Sequence, residues 1–341
     1  MKAKIKPRID LKNRTRLETV IPLSVPFVIF VDPSDVCNFQ CKFCPTGDRK
    51  LMRSIPGRNR IMDFDLYKKI IDDICEFERP IKVLRLYKDG EPLMNPRFVD
   101  MVRYARERRC AERIDTTTNA SLLTPEKNIE MIEAGLDRIN ISIEGVNEKQ
   151  YLEFSNYKIN FDKFVGNIRH LYEHRKDCEI IIKINGDILS KADKNKFFQI
   201  FGDIADGIYI EHIMSCWPEF DLELKGVKVN QRVGIYGQPI REVMVCPYVF
   251  YSFSVNSDGS VSACFLDWAR KLIIGDVKKE SIKDIWNGEK LFKLQEMFLK
   301  KKRKEHPVCK DCGQLTHGMP DDIDAYTEDL LKKIIEKHEK K

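Results

Sequence analysis

Six apolar runs separated by helical patterns constrain this chain more than any other feature of its sequence. Residues 26–31, 81–87, 113–118, 138–144, 179–184 and 206–213 each read as a buried strand, and a stretch of helical periodicity follows each of the first five. Thr124 and Pro125 stand in the order expected of a helix start, cap first and proline second. Alternation of this kind predicts an α/β fold with a parallel sheet and right-handed crossovers. Six units are too few to close an eight-stranded barrel. In folds of this class the chemistry gathers at the C-terminal ends of the strands, so those ends are where functional residues are sought.

The first strand ends in Cys37-Asn-Phe-Gln-Cys41-Lys-Phe43-Cys44. Three thiolates in one loop can hold three corners of a cubane iron–sulfur cluster and leave the fourth iron open to a small chelating molecule. Zinc, or three incidental thiols, is the competing reading, but zinc sites are usually built from paired two-cysteine units. The spacing of three and then two residues, with aromatic Phe43 just before the last cysteine, resembles that of the radical S-adenosylmethionine (SAM) enzymes. The resemblance implies a partial (β/α)6 TIM-like barrel, a [4Fe-4S] cluster on Cys37, Cys41 and Cys44, and SAM bound at its open iron.

After the second strand, Lys88-Asp89-Gly90-Glu91-Pro92 resembles the family's Gly-Gly-Glu-Pro turn, which holds the amino group of the methionine moiety. Asp89 replaces the first glycine. A plain polar turn would use the same residues. The family also places polar groups at the next strand ends against the ribose and carboxylate of the cofactor. Here those positions are Asn119, Ser142 and Glu144, although Asn119 and Ser142 would equally suit helix caps. The cofactor-binding set implied is therefore Phe43, Asp89, Gly90, Glu91, Pro92, Asn119, Ser142 and Glu144.

A second group of thiols lies in the C-terminal third. Two alternating runs, 250–255 and 260–264, flank an Asp258-Gly259 turn and predict a β-hairpin that brings Cys246 and Cys264 to one end. Helical patterns then lead to Cys309-Lys-Asp-Cys312. The intervals between these four cysteines are seventeen, forty-four and two residues. The pattern resembles the twitch region, a shortened relative of the SPASM domain. It implies a C-terminal twitch-type β-hairpin/helix domain with one auxiliary [4Fe-4S] cluster held at all four corners by protein, while a zinc ribbon is permitted by the spacing alone. The expected organisation is an N-terminal extension (1–22), a barrel core (23–216), a connecting loop (217–245), the auxiliary-cluster domain (246–315) and a C-terminal helical tail (316–341).

Eleven cysteines in a chain without a long apolar stretch argue for metal or catalytic use in the cytoplasm, with no membrane span and no disulfide scaffold. Cys75, Cys110 and Cys178 read as inert thiols away from the chemistry. Cys216, just past the sixth strand on the expected active face, reads either as a packed thiol or as the hydrogen donor that epimerising relatives employ. A net charge of +6 is modest, and the basic run Lys300–Lys304 reads as a solvated helix end without nucleic-acid contact.

Together the two centres and the resemblance imply reductive cleavage of SAM to a 5′-deoxyadenosyl radical and hydrogen abstraction from a substrate carbon. A second cluster with no open iron suits electron acceptance, which points to two-electron oxidation of a sugar or cyclitol alcohol. Lys183, Glu211 and His212 are the candidate proton acceptors. The resemblance implies flavodoxin or ferredoxin as reductant. A peptide-modifying maturase, an epimerase using Cys216 and a non-catalytic iron–sulfur protein are the alternatives.

Overall fold

The computed structural model describes residues 1–10 and 13–340. Residues 11 and 12 of the expected extension and 341 of the expected tail lie outside the described residues. The strands are β1 (Lys4–Ile5), β2 (Val28–Val31), β3 (Ile81–Arg85), β4 (Ala111–Thr118), β5 (Arg138–Ile143), β6 (Glu179–Asn185), β7 (Gly207–Glu211), β8 (Ser252–Val255), β9 (Ser260–Ser262) and β10 (Ile273–Asp276). They share one sheet in the order β1-β7-β6-β5-β4-β3-β2-β8-β9-β10.

Strands β2 to β7 are the six expected runs, each parallel to the next. Helices Phe64–Ile74, Phe98–Arg108, Pro125–Glu133, Phe161–Glu173 and Lys191–Phe201 cross between them. Local chemistry starts these helices. The Asp63 carboxylate accepts from the amides of Asp65 and Leu66, the Thr124 hydroxyl accepts from Lys127 ahead of Pro125, and Ser190 and Asp193 form a reciprocal capping box. The outward strand face is aliphatic: Ile139, Ile141, Ile180, Ile182, Ile184 and Ile208 are fully buried beneath the helices. Each such side chain contributes about 1.5–3 kcal/mol of transfer free energy. Register and the alternation of side chains put Arg85, Asp115, Asn140, Lys183 and Glu211 on the opposite face, lining the lumen.

Since β2 and β7 pair with other strands and not with each other, the barrel is partial. The N-terminal extension joins the sheet. Its first residues add β1 as a parallel edge strand, with Lys4 opposite Gly207. On the other side β8 runs parallel to β2, with Ile29 opposite Phe253, so the C-terminal hairpin extends the barrel sheet. Gly259 at the hairpin turn has φ +90°, a conformation that favours glycine. The C-terminal helix Thr327–Glu339 packs on helix Glu289–Leu299, where His338 stacks on Phe292 at 3.9 Å. No helix among the described residues is long and apolar enough to cross a membrane.

Candidate active site

The cysteine loop leaves the C-terminal end of β2 and is docked by backbone and core contacts. Gln40 and Lys42 donate their amides to the carbonyls of Ser155 and Phe154, at 2.8 and 3.2 Å. Phe39, just before them, is buried and packs against Tyr151 and Tyr157. Gly47 is required because a Cβ there would lie 2.4 Å from the carbonyl oxygen of Cys41. This anchoring gathers the three thiols closely enough for Cys44 to act on both Cys37 and Cys41 electrostatically. Burial first, and nearby negative groups second, push the Cys37 and Cys41 thiols well up from the usual range. Thiols that resist ionisation in this way are relieved by a cationic iron core, which is the donor chemistry a cluster needs. No three His, Cys, Asp or Glu side chains among the described residues close to the spacing of one metal ion. Thiols around a cubane stand wider apart than thiols on a single zinc, because the cluster lies between them.

The turn after β3 is built into this loop. A Cβ on Gly90 would come within 2.2 Å of the Ser34 carbonyl oxygen, so only glycine lets the two backbones meet. Glu91 donates its amide to the Val36 carbonyl at 3.0 Å. Both carboxylates of the turn, which the resemblance places at the methionine amino group, are engaged by protein. Glu91 accepts from the Thr118 hydroxyl at 2.6 Å and from the amides of Asn119 and Leu93 at 2.8 and 3.1 Å. Asp89 pairs with Arg58 and Lys88, both at 2.6 Å and fully enclosed. Although burial raises it, those two cations hold the Asp89 carboxyl below the usual carboxylate range. The turn therefore presents backbone to a ligand, and its carboxylates scaffold the loop. Pro92 opens a short buried turn of helix behind it.

Asn119 fastens the next strand end to the cysteine loop. Its amide nitrogen lies 4.0 Å from the Cys37 sulfur and donates to the Asn38 side chain at 2.9 Å. Ser142 stands between Asn140 and Glu144 on the lumen face of β5, opposite Lys183. Glu144 is buried near Cys41 and Lys183, and Oε2 has no hydrogen-bond partner. Burial pushes its carboxyl up to about 7, against the opposing charge of Lys183. Lys183 pairs with Glu211 at 3.2 Å. Burial alone would raise Glu211, but Lys183 and Arg8 hold it below the usual range. His212 turns the other way, placing Nδ1 2.7 Å from Asp187 and 3.0 Å from Asn230. Of the three candidate acceptors, Lys183 and Glu211 face the lumen and His212 anchors loops.

The connecting loop packs on the segment that follows the cysteine loop. Phe220, Leu222 and Val227 form a second apolar cluster with Met52 and Trp268, and Phe43 packs against it. Phe43 thus belongs to this packing as well as to the cysteine loop.

At the second centre, Cys246, Cys264, Cys309 and Cys312 converge so that each acts on another electrostatically. Burial is the main cause of their raised thiol values. Arg303 is turned inward and acts on Cys309 and Cys312 as an opposing charge. It departs from the solvated reading of the basic run, whose four lysines are exposed. Cys216 lies within electrostatic reach of both Cys44 and Cys312, and its thiol is pushed up to about 12, mainly by burial. The backbone at Gly313 meets that segment directly, since a Cβ there would lie 1.9 Å from the Ser215 carbonyl oxygen. Cys110 and Cys178 are buried and Cys75 is half-buried, all outside both groups.

A buried polar network absent from the sequence reading joins the centres. Arg58 donates to Asp89 and to the Trp268 carbonyl at 2.8 Å, and Lys88 reaches the Asp267 carbonyl at 3.1 Å. Arg270 pairs with Asp35 and Asp258, each at 2.7 Å. Arg58 and Arg270 sit in irregular segments with no periodicity to mark them, so only their pairing reveals them.

Residues 31–189 match the family model described as the radical SAM superfamily, and residues 246–313 match the SPASM model, described as an iron–sulfur cluster-binding domain. The chain is 23% identical over 292 residues to the S-adenosyl-L-methionine-dependent 2-deoxy-scyllo-inosamine dehydrogenase of Niallia circulans, covering 85% of this chain and 93% of the relative. It is 32% identical over 116 residues to the tungsten-containing aldehyde ferredoxin oxidoreductase cofactor-modifying protein of Pyrococcus furiosus, covering 34% of this chain and only 30% of that relative. Among solved structures, BtrN in complex with AdoMet and 2-DOIA superposes with a TM-score of 0.56 at 20% identity, over 88% of this chain and 98% of that one. Streptococcus suis SuiB bound to precursor peptide SuiA gives 0.61 at 13% identity, over 88% of this chain and 72% of that one. These structural likenesses concern the fold.

Proposed function

The chain belongs to the radical SAM superfamily, with an iron–sulfur cluster-binding SPASM domain behind its barrel, and from that premise we propose that it oxidises an alcohol carbon of a sugar or cyclitol. One observation carries the reading. Cys216 lies within electrostatic reach of Cys44 in the three-thiol loop and of Cys312 in the four-thiol group, so the two groups stand near one another. The extensive likeness to a cyclitol dehydrogenase supports the substrate class.

Cys37, Cys41 and Cys44 would hold the SAM-binding cluster, and Cys246, Cys264, Cys309 and Cys312 the auxiliary one. When bound, these groups and SAM supply an electron, a 5′-deoxyadenosyl radical that takes hydrogen from carbon, and a sink for the second electron. The protein's own residues do the rest. Glu91 and Asn119 tie the turn to the cysteine loop and so fix where the cofactor sits. The apolar packing of Phe220, Leu222 and Trp268 excludes water beside the cysteine loop. A carbon that has lost hydrogen makes its hydroxyl acidic, and the ionised Glu211 receives that proton while Lys183 holds its carboxylate in place. The substrate thus loses one hydrogen atom, one proton and one electron and leaves as a carbonyl compound. A reducing cytoplasmic setting suits eleven unpaired thiols, with a flavodoxin or ferredoxin as electron donor.

The test is anaerobic turnover of the reconstituted protein against a panel of sugars, aminocyclitols and peptides. One carbonyl product per 5′-deoxyadenosine from a sugar or cyclitol is expected. Coupled turnover of peptides alone would refute the reading. The position of Cys216 favours a second reading, epimerisation, in which its S–H returns a hydrogen atom to the substrate radical. In deuterated water that reading requires solvent deuterium at one substrate carbon with the parent protein and none with Cys216→Ala.

A further inference from the structure

The lumen holds more cation than the proposed chemistry uses. The N-terminal segment runs on beyond β1 alongside β7, where Lys6 donates its amide to the Ile208 carbonyl at 3.2 Å, and this delivers Arg8 into the barrel. The Arg8 guanidinium stands 3.7 Å from Glu211, too far for a hydrogen bond; Tyr236 hydrogen-bonds it and Tyr87 lies nearby. Arg85, on β3, is likewise 3.7 Å from Asp115. It lies over the Phe30 ring at 5.2 Å and donates to the Tyr87 hydroxyl at 3.3 Å. Arg8 and Arg85 are close enough to repel one another, and Tyr87 lies beside both. Asp115 cannot balance them, because Arg113 also pairs with it, at 3.4 Å. Arg85 Nε, Asp115 Oδ1 and Glu211 Oε1 are buried without a hydrogen-bond partner. Two cations with stretched ion pairs, one of them with a buried donor unused, are matched by a ligand that carries its own anion.

We propose that Arg8 and Arg85 form a clamp for a phosphate or carboxylate group on the substrate, so that the substrate is an anionic polyhydroxylated compound. The polyhydroxylated part rests on the carbohydrate reading above, whereas the anion clamp rests on the lumen alone. Guanidinium forks suit either oxyanion. Arg8 would be a specificity-determining residue contributed from outside the 31–189 stretch that matches the superfamily.

Binding to the full-length, reconstituted, SAM-loaded protein tests this without turnover, by calorimetry with glucose, glucose 6-phosphate and glucuronate. At least one charged probe is expected to bind about tenfold or more tightly than glucose, as a charge-assisted pair allows. The tighter of the two charged probes identifies the group. Arg8→Gln and Arg85→Gln should each reduce that preference about tenfold, and Arg8→Lys should restore part of it. Iron content and melting temperature report whether the variants fold, and Arg8→Gln removes only a partly exposed side chain on an edge segment. Equal affinity for all three probes, no binding of either charged probe, or a preference unmoved in folded variants would overturn the clamp. Because no product is measured, failure of the oxidation reading leaves this result intact, and a neutral sugar that is turned over would sink the clamp alone.

Discussion

The two cysteine groups solve different problems with the same side chain. The first takes its three thiols from one eight-residue loop, Cys37 to Cys44, and borrows rigidity from the neighbouring helix end and from the Gly90 turn. The second takes four thiols from a hairpin and a distant pair, and encloses them with Arg303 and the Cys216 segment. Three thiols on a four-iron cubane would leave one corner for a ligand, whereas four would leave none. In the reading proposed above, that difference in thiol number divides the labour between binding a cofactor and moving an electron.

Substituting Cys37, Cys41 and Cys44 together by Ala is the strongest challenge to that division. Cleavage of SAM should fall below detection, and bound iron should drop from about eight to about four per chain, as loss of one of two four-iron clusters requires. Retained cleavage would mean that the first loop is not the open site. Replacing Cys309 and Cys312 by Ala should instead leave dithionite-driven cleavage measurable while carbonyl product falls at least about a hundredfold, roughly what removing an obligatory partner costs. Product formation at the parental rate would deprive the closed site of its role.

A smaller effect is expected where the two regions are joined. Arg58→Met leaves Asp89 with Lys88 alone and should destabilise the fold by about 1–3 kcal/mol, the cost of lost charge-assisted hydrogen bonds with one counter-charge retained. Denaturant unfolding would show it, and an unchanged midpoint would mean that the Arg58–Asp89 link carries no strain of the junction. The smallest effect belongs to Asp32, fully buried beside this network with neither carboxylate oxygen hydrogen-bonded. Burial, with repulsion from Asp89, pushes it up to about 7. A folded value above the unfolded one means that the native state keeps a proton the unfolded chain has lost. Stability contributed by that proton is therefore lost as pH rises through 7. Asp32→Asn should melt several degrees higher than the parent at pH 8 and by a smaller margin at pH 5, because the penalty builds between the unfolded value and about 7. A gain confined to pH 5 would reverse the assignment.

Much of this was legible in the order of residues. The six runs became six parallel strands, the Thr124-Pro125 start caps a helix, and the Asp258-Gly259 turn closes a hairpin. Each of these depends on neighbours in sequence. The Asp89 to Pro92 turn was legible as a motif, yet the direction of its carboxylates was not, because Thr118, Asn119 and Arg58 come from elsewhere in the chain. His212 and Glu211 are adjacent residues at one strand end with opposite fates, since successive side chains point to opposite faces and only the packed barrel says which face is the lumen. Arg8 gave no signal at all, as a two-residue edge strand has no period to read.

The sequence by itself determined the donor atoms, because thiol spacing within a loop and apolar periodicity are properties of short stretches. Tertiary structure decided which charges meet: the Arg58–Asp89 and Arg270–Asp35 links, the inward turn of Arg303 and the arrival of Arg8 in the lumen all join residues far apart in the chain. Electrostatic partnership depends on distance in space and on burial, and neither is written in local order.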